Sequence, residues 1–196
     1  MTKNIIIAIL LIVDICMMIV LLQVNSNNNT IIRQQYVNQN LAYDYRLTLQ
    51  NDESRFFPND IAIEDPQKNQ VFIDSIIGNC PKLVIRYSSL NCHTCIDSLV
   101  TNAKNLSQII GRDNICIFAK YHTDSDFRVF WRTNNNYFRI FQAESQITRL
   151  DSINKPYMFV LNSDKTISHI FLPHKEIPEM TKWYLDVVTN YIKTAD

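Results

Sequence analysis

The run Leu83-Val84-Ile85-Arg86-Tyr87 is followed, four residues later, by Cys92-His93-Thr94-Cys95, and there the hydrophobic period changes. A mostly apolar run bounded by Pro81 and Ser88 fits a central strand. After Cys95, residues Ile96, Leu99, Ala103, Leu106 and Ile110 follow the 3.6-residue repeat, and Gly111 ends the helix. A CxxC at a strand-to-helix corner has a physical rationale. Both thiols lie on one helical turn, close enough to bridge. Cys92 sits at the helix N-terminus, where free N–H groups and the helix dipole stabilise a thiolate, the species that attacks in disulfide exchange. Cys95, one turn in, is expected to be more buried and to resolve the mixed disulfide. Chance is the competing account, since five cysteines give some CxxC in roughly one chain in ten. The strand and helix around this one make it rarer. So does a proline downstream, in Asn154-Lys155-Pro156-Tyr157-Met158-Phe159-Val160-Leu161.

The rest of the globular part reads as alternating strands and helices from about Pro58. IAIED and QVFID flank PQKN as a hairpin, and ICIFAKY (Ile115 to Tyr121) is a second buried strand. Phe127, Phe130 and Trp131 suggest a short helix ended by Asn134-Asn135-Asn136. YFRIFQA is expected as a strand, YMFVL and TISHIFL as a hairpin across NSDK, and Ile177 to Tyr191 as a last amphipathic helix. The order β-β-β-α-β-α-β-β-β-α predicts an α/β fold, a mixed central sheet with helices on both faces.

Residues Ile5 to Val24 form an apolar run broken only by Asp14 and Gln23. Twenty helical residues span about 30 Å, the thickness of the hydrocarbon core. Asp14 costs about 2.5–3.5 kcal/mol at mid-span, and the surrounding Ile, Leu and Val residues offset it at about 0.3–0.6 kcal/mol each. No small-residue cleavage pattern follows, so an uncleaved transmembrane helix is expected over 1–24 rather than a signal peptide. Lys3 precedes the run and the first positive charge after it is Arg33. That bias predicts a cytoplasmic N-terminus and a periplasmic or otherwise extracytoplasmic domain. Residues 25–57 are polar and read as a tether or stalk, in which Ile32, Tyr36, Leu41 and Tyr45 allow a short helix. Residues 58–196 form the expected domain.

Composition removes other classes. Lysine plus arginine and aspartate plus glutamate are each 19, so no basic excess points to nucleic acid. The only glycines, Gly78 and Gly111, leave no glycine-rich phosphate loop, and no cofactor is implied. A single CxxC excludes a zinc ribbon.

With KLVIRYSSLNCHTC, the helix after it, KPYMFVLNSDKTI and the last helix, the chain resembles the thioredoxin-like superfamily. Within it, the membrane-tethered TlpA-like and redoxin (alkyl hydroperoxide reductase/thiol-specific antioxidant) group is most similar, over about residues 58–192. The resemblance implies that Cys92 is the nucleophile and Cys95 the resolving thiol. It implies that Pro156 is a cis-proline facing the disulfide and that Lys155 offers backbone groups to an extended substrate. The partners it implies are client protein thiols or disulfides and a membrane thiol reductant or oxidant.

Several positions depart from the family pattern. Asn91 stands where tryptophan is usual, and His93-Thr94 where a proline-containing pair is common. Arg86 occupies the position at which thioredoxins carry a buried acid. Pointing inward, its charge would favour a thiolate; strand alternation favours its reaching solvent instead. His93 is expected to tune the pKa of Cys92 modestly.

Two other functions share the motif. Peroxidases of the redoxin group place Thr or Ser three residues before the peroxidatic cysteine, as Ser89 is here, but Ile85 replaces their upstream proline. A copper chaperone would need Cys92, Cys95 and a histidine such as His169 or His174. Cys80 and Cys116 are expected to be buried or to bridge, and Cys16 to be inert within the anchor.

Overall fold

The structure, a computed structural model, describes residues 2–50, 55–58 and 61–195; within the first helix, the side chains of 2–12, 33, 36, 40, 44, 45 and 47–50 lie outside the description. The chain divides into two compact units, Met1–Tyr45 and Arg46–Asp196.

The helix α1 runs over Thr2–Gln50 and makes up the first unit as far as Tyr45. It passes through the Asn-rich stretch expected as a tether because no glycine or proline occurs in the first 50 residues. Asn and Gln lower helix propensity but break nothing. Among the described residues, no helix is long and apolar enough to cross a membrane. Of the anchor expected over 5–24, the side chains of 5–12 lie outside the description. Val13, Ile15, Met17 to Leu22 and Val24 are all exposed. Of the stalk positions, Ile32 is exposed and Tyr36 and Tyr45 fall outside the described side chains.

The second unit is an eight-stranded sheet in the order β1-β8-β7-β4-β5-β6-β2-β3. At its centre lie β4 (Lys82–Ser88) and β5 (Ile115–Lys120), parallel and in register from Leu83 opposite Ile115 to Ser88 opposite Lys120. β6 (Arg139–Ala143) continues parallel to β5, whereas β7 (Tyr157–Leu161) runs antiparallel to β4. β8 (Thr166–Phe171) forms the expected hairpin with β7. β2 (Ile63–Glu64) and β3 (Gln70–Val71) form the other expected hairpin, with β2 against β6. The sheet also takes in β1 (Arg55–Phe56), which pairs with β8 ahead of the boundary expected at 58.

Alternation along the central strands builds two cores. Leu83, Ile85 and Tyr87 of β4, with Ile115, Ile117 and Ala119 of β5, meet the apolar faces of three helices. These are α3 (His93–Ile110), α4 (Asp124–Asn134) and α5 (Pro178–Ala195). In α3, Ile96, Leu99, Val100, Ala103, Leu106 and Ile110 are buried, the stripe the 3.6 period predicts. Gly111 ends it at φ 85°, a backbone state that favours glycine. Val84, Cys116 and Phe118 face the second core, with Phe57, Phe159 and a helix unexpected from sequence, α2 (Ile73–Ile77). The expected strand QVFID is cut at Val71 because Ile73, Ile76 and Ile77 have helical spacing and Gly78, at φ 62°, stops the turn.

Arg86 corrects the expectation that it reaches solvent. It alternates onto the second face as a strand residue should, but that face is covered, and its side chain is 3% exposed. Its Nε donates to Asp151 Oδ1 at 2.7 Å, Nη1 to the carbonyls of Ala143 (2.7 Å) and Phe118 (3.3 Å), and Nη2 to that of Ser145 (3.3 Å). Asp151 Oδ2 accepts from the N–H groups of Ile147 (2.8 Å) and Thr148 (3.2 Å) and from the Tyr157 hydroxyl (3.0 Å). Burial first, and then the Asp151 carboxylate, push the Tyr157 hydroxyl up. Removing one partner of such a pair strands the other charge in the core. Asp151→Ala is therefore expected to cost about 3–5 kcal/mol, read as a lower urea midpoint at unchanged slope. A loss below about 1 kcal/mol, the range of surface pairs, would count against this role.

Candidate functional site

The site lies where β4 ends and α3 begins. Between them, Ser88 to Asn91 form a tight turn held by its own hydrogen bonds. Asn91 N–H donates to Ser88 O (2.9 Å), Ser88 N–H to Asn91 Oδ1 (2.8 Å), and Leu90 N–H to Ser88 Oγ (3.0 Å). Ser89 N–H reaches across to Lys120 O on β5 at 2.8 Å. Cys92 is then the N-cap of α3, and its carbonyl accepts from the N–H groups of Cys95 (3.0 Å) and Ile96 (3.1 Å). The helix thus starts at the first cysteine, the position the CxxC reading requires.

The two thiols differ in exposure and acidity. Cys92 is exposed and Cys95 half-buried, and both are free thiols. Hydrogen bonds from the Cys95 thiol, the Thr94 hydroxyl and the Cys95 N–H, in that order, lower the Cys92 pKa to about 7, against an opposing desolvation. Lys175 adds a favourable charge. Thr94 Oγ1 lies 3.1 Å from Cys92 Sγ. Burial first, then the hydrogen bond and charge of Cys92, raise Cys95 to about 11. The pair titrates as a coupled unit, with the proton leaving the outer sulfur first.

The Lys155-Pro156 segment is tied to this corner by an amide pair. Asn91 Nδ2 donates to Asn154 Oδ1 at 2.9 Å. Asn154 has left-handed backbone (φ 54°, ψ 37°) and caps the 3-10 turn Arg149–Ile153, a conformation asparagine tolerates better than most residues. Pro156 is buried at the start of β7 and Lys155 is exposed. The cis-proline expectation is corrected: among the described residues no peptide bond is cis. A trans X–Pro bond is favoured by about 0.5–1 kcal/mol when nothing forces the alternative. Next to this amide pair opens a cleft of about 290 Å³ with Arg86 and Asp151 among its lining, together with Ser89, His122 and Lys155.

The other sequence candidates separate. His93 is exposed on the first turn of α3, and neither it nor Arg86 is among the groups that shift the two thiols. That role falls to Thr94 and Lys175. The approach of Lys175, 80 residues beyond Cys95, leaves no local sequence signal; Asn154 had one, an asparagine just before a Lys-Pro step. His174 shares a cleft of about 100 Å³ with Cys95, whereas the ring of His169 packs at 4.7 Å from that of Tyr191. Among the described residues, no three His, Cys, Asp or Glu side chains group closely enough to hold a metal ion. Cys116 is a buried free thiol, so it does not bridge to Cys80; burial pushes the Cys116 thiol up to about 12. Cys16 is a free, exposed thiol on α1.

No protein-family model and no curated protein matches the chain. Solved structures do. A thiol:disulfide interchange protein DsbE from Chlorobium tepidum is 12% identical, with 71% of this chain and 99% of that one covered and a TM-score of 0.51. BsSco, a member of the Sco family of cytochrome c oxidase assembly proteins, is 10% identical, with 74% and 97% covered and a TM-score of 0.49. A peroxiredoxin-like protein from Aquifex aeolicus is 10% identical, with 73% and 86% covered and a TM-score of 0.47. Together with the sheet order, the likeness to the first of these structures shows that the chain has a thioredoxin-like fold.

Proposed function

We propose that the protein is a thiol-disulfide oxidoreductase that exchanges disulfides with client proteins through Cys92 and Cys95. The observation that carries this reading is the split between the two thiols, exposed and near 7 against half-buried and near 11. An exposed thiolate attacks a client disulfide; a protonated, sheltered thiol waits to displace the client. Lys155 and the buried Pro156, held to the corner through Asn154, form the ledge for an extended client segment. A nucleophile near 7 stabilises the reduced pair far less than one near 3.5 would, which supports the reductive direction.

The exposed apolar surface of α1 from Val13 to Val24 supports attachment of this unit to a membrane, since large exposed apolar patches mark protein or membrane contacts. With the apolar run Ile5 to Val24 and the charge bias around it, the reading is a tethered domain on the extracytoplasmic side, served by a membrane thiol reductant.

The exchange reading has a direct test. Oxidised full-length chain yields a Cys92–Cys95 disulfide by peptide mapping, and Cys95→Ser accumulates a mixed disulfide on Cys92 when mixed with reducible insulin. A chain that forms neither product is not an exchanger. Alkylation by iodoacetamide adds a pH test, with Cys92 followed by mass. Its rate rises with pH and levels off with a midpoint at about 7 in the reduced chain. Cys95→Ala removes the first hydrogen bond to the thiolate, so the midpoint moves up towards the ordinary value of about 8.5. An unmoved midpoint would refute the assigned cause. For attachment, the full chain is expected in the membrane pellet after alkaline carbonate washing, and a chain starting at Arg46 in the supernatant; full-length protein in the supernatant would exclude the anchor.

A further inference from the structure

We propose that His174 accepts the proton of Cys95 when Cys95 resolves the mixed disulfide, acting across the cleft that both residues line. This rests on the exchange reading above. At the position where thioredoxins carry a buried acid, this chain has Arg86. Its side chain lies on the second face of the sheet, committed to Asp151 and three carbonyls. Asp151 is committed in turn to Arg86, two N–H groups and Tyr157. Neither group is placed to serve a thiol on α3.

The other side of the corner is different. The loop Pro173-His174-Lys175, between β8 and α5, forms one wall of a cleft of about 100 Å³, and Thr94, Cys95 and Ser98 of α3 contribute another. The titratable and charged groups lining it are Cys95 from α3 and His174 and Lys175 from the loop. α5 contributes Pro178 and Thr181, which do not titrate. The charge of Lys175 lowers both thiols, which favours a thiolate and takes no proton. An imidazole is the side chain suited to accept a proton at neutral pH. The cleft exceeds the roughly 10–15 Å³ that a bridging water requires, and Thr94, Ser98 and Thr181 supply polar partners.

The step balances as follows. The Cys95 thiol gives its proton to the His174 imidazole, directly or through one water. The thiolate electron pair attacks Cys92 Sγ, and the bond from Cys92 to the client sulfur breaks. The client leaves as a thiolate and the Cys92–Cys95 disulfide forms. The client disulfide has gained two electrons from the dithiol, and His174 passes its proton to solvent or to the departing thiolate. Burial keeps Cys95 protonated at neutral pH, so resolution without a base would be slow.

Stopped-flow reaction of the reduced full chain with 5,5′-dithiobis(2-nitrobenzoate) tests this, in a Cys16→Ser/Cys80→Ser background. The probe labels Cys92 in a first phase, and Cys95 expels the second thionitrobenzoate in a later one. His174→Gln is expected to leave the first phase unchanged, which also shows that the variant is folded. The second phase should slow by about a hundredfold at pH 7, with a pH profile different from the parent's. His174→Asp, which keeps a base in the cleft, recovers part of the rate, and so does imidazole added to His174→Gln. A second phase with unchanged rate and pH profile in His174→Gln overturns the assignment of His174 alone. A parent chain that shows no second phase overturns the exchange reading itself.

Discussion

The buried contact between Arg86 and Asp151 is the constraint on which the arrangement of the site depends. Arg86 belongs to β4, the strand that runs into the CxxC turn, and Asp151 to the 3-10 turn that runs into Lys155-Pro156. The guanidinium also reaches the carbonyl of Phe118 on β5 and those of Ala143 and Ser145 at the end of β6. One side chain therefore fixes the C-terminal end of the central strands and the approach of the proline segment together. Burying a charge pair is expensive, and excellent geometry with further hydrogen bonds is what offsets the desolvation. Here both groups have those bonds. The stabilisation lies less in the pair itself than in the penalty for every arrangement that leaves one of them alone.

Above this pair, a second polar contact completes the corner. Asn91 holds its own turn through Oδ1 and reaches Asn154 through Nδ2. A hydrogen bond between side chains is directional in a way that apolar packing is not, so the turn and the proline segment are set in distance as well as in contact. Asn91 is buried, and loss of its partner would leave an amide unsatisfied, a cost of about 1–3 kcal/mol. The turn and the proline segment are thus joined by an amide tie.

Much of this was legible in the sequence, for reasons that differ by element. β4, the CxxC and α3 were readable because their signal is local: an apolar run, a change of period, and Gly111 at the end. Both hairpins were readable from their turn residues. α2 was not, because Val71-Phe72-Ile73 alternates well enough to pass for a strand and only Ile76 and Ile77 reveal the helix. The direction of Arg86 was legible from alternation; its burial was not, because nothing local shows that α2, Phe57 and the 149–153 turn cover that face. The approach of Lys175 to the thiols is a tertiary event that no spacing encodes.

The asymmetry of the thiols has a kinetic consequence that follows from the same geometry. A thiol near 7 is close to the optimum for attack at neutral pH, because thiolate fraction and intrinsic nucleophilicity trade off as the pKa falls. A thiol near 11 is a stronger nucleophile once ionised and a poor leaving group. Attack on the Cys92–Cys95 disulfide from outside, at the exposed Cys92, must expel Cys95 as that poor leaving group unless a proton reaches it. The mixed disulfide, by contrast, collapses readily once Cys95 loses its proton. In the proposed exchange, proton supply to one half-buried sulfur therefore governs passage in both directions, and the groups that matter most are those facing Cys95, not those flanking Cys92.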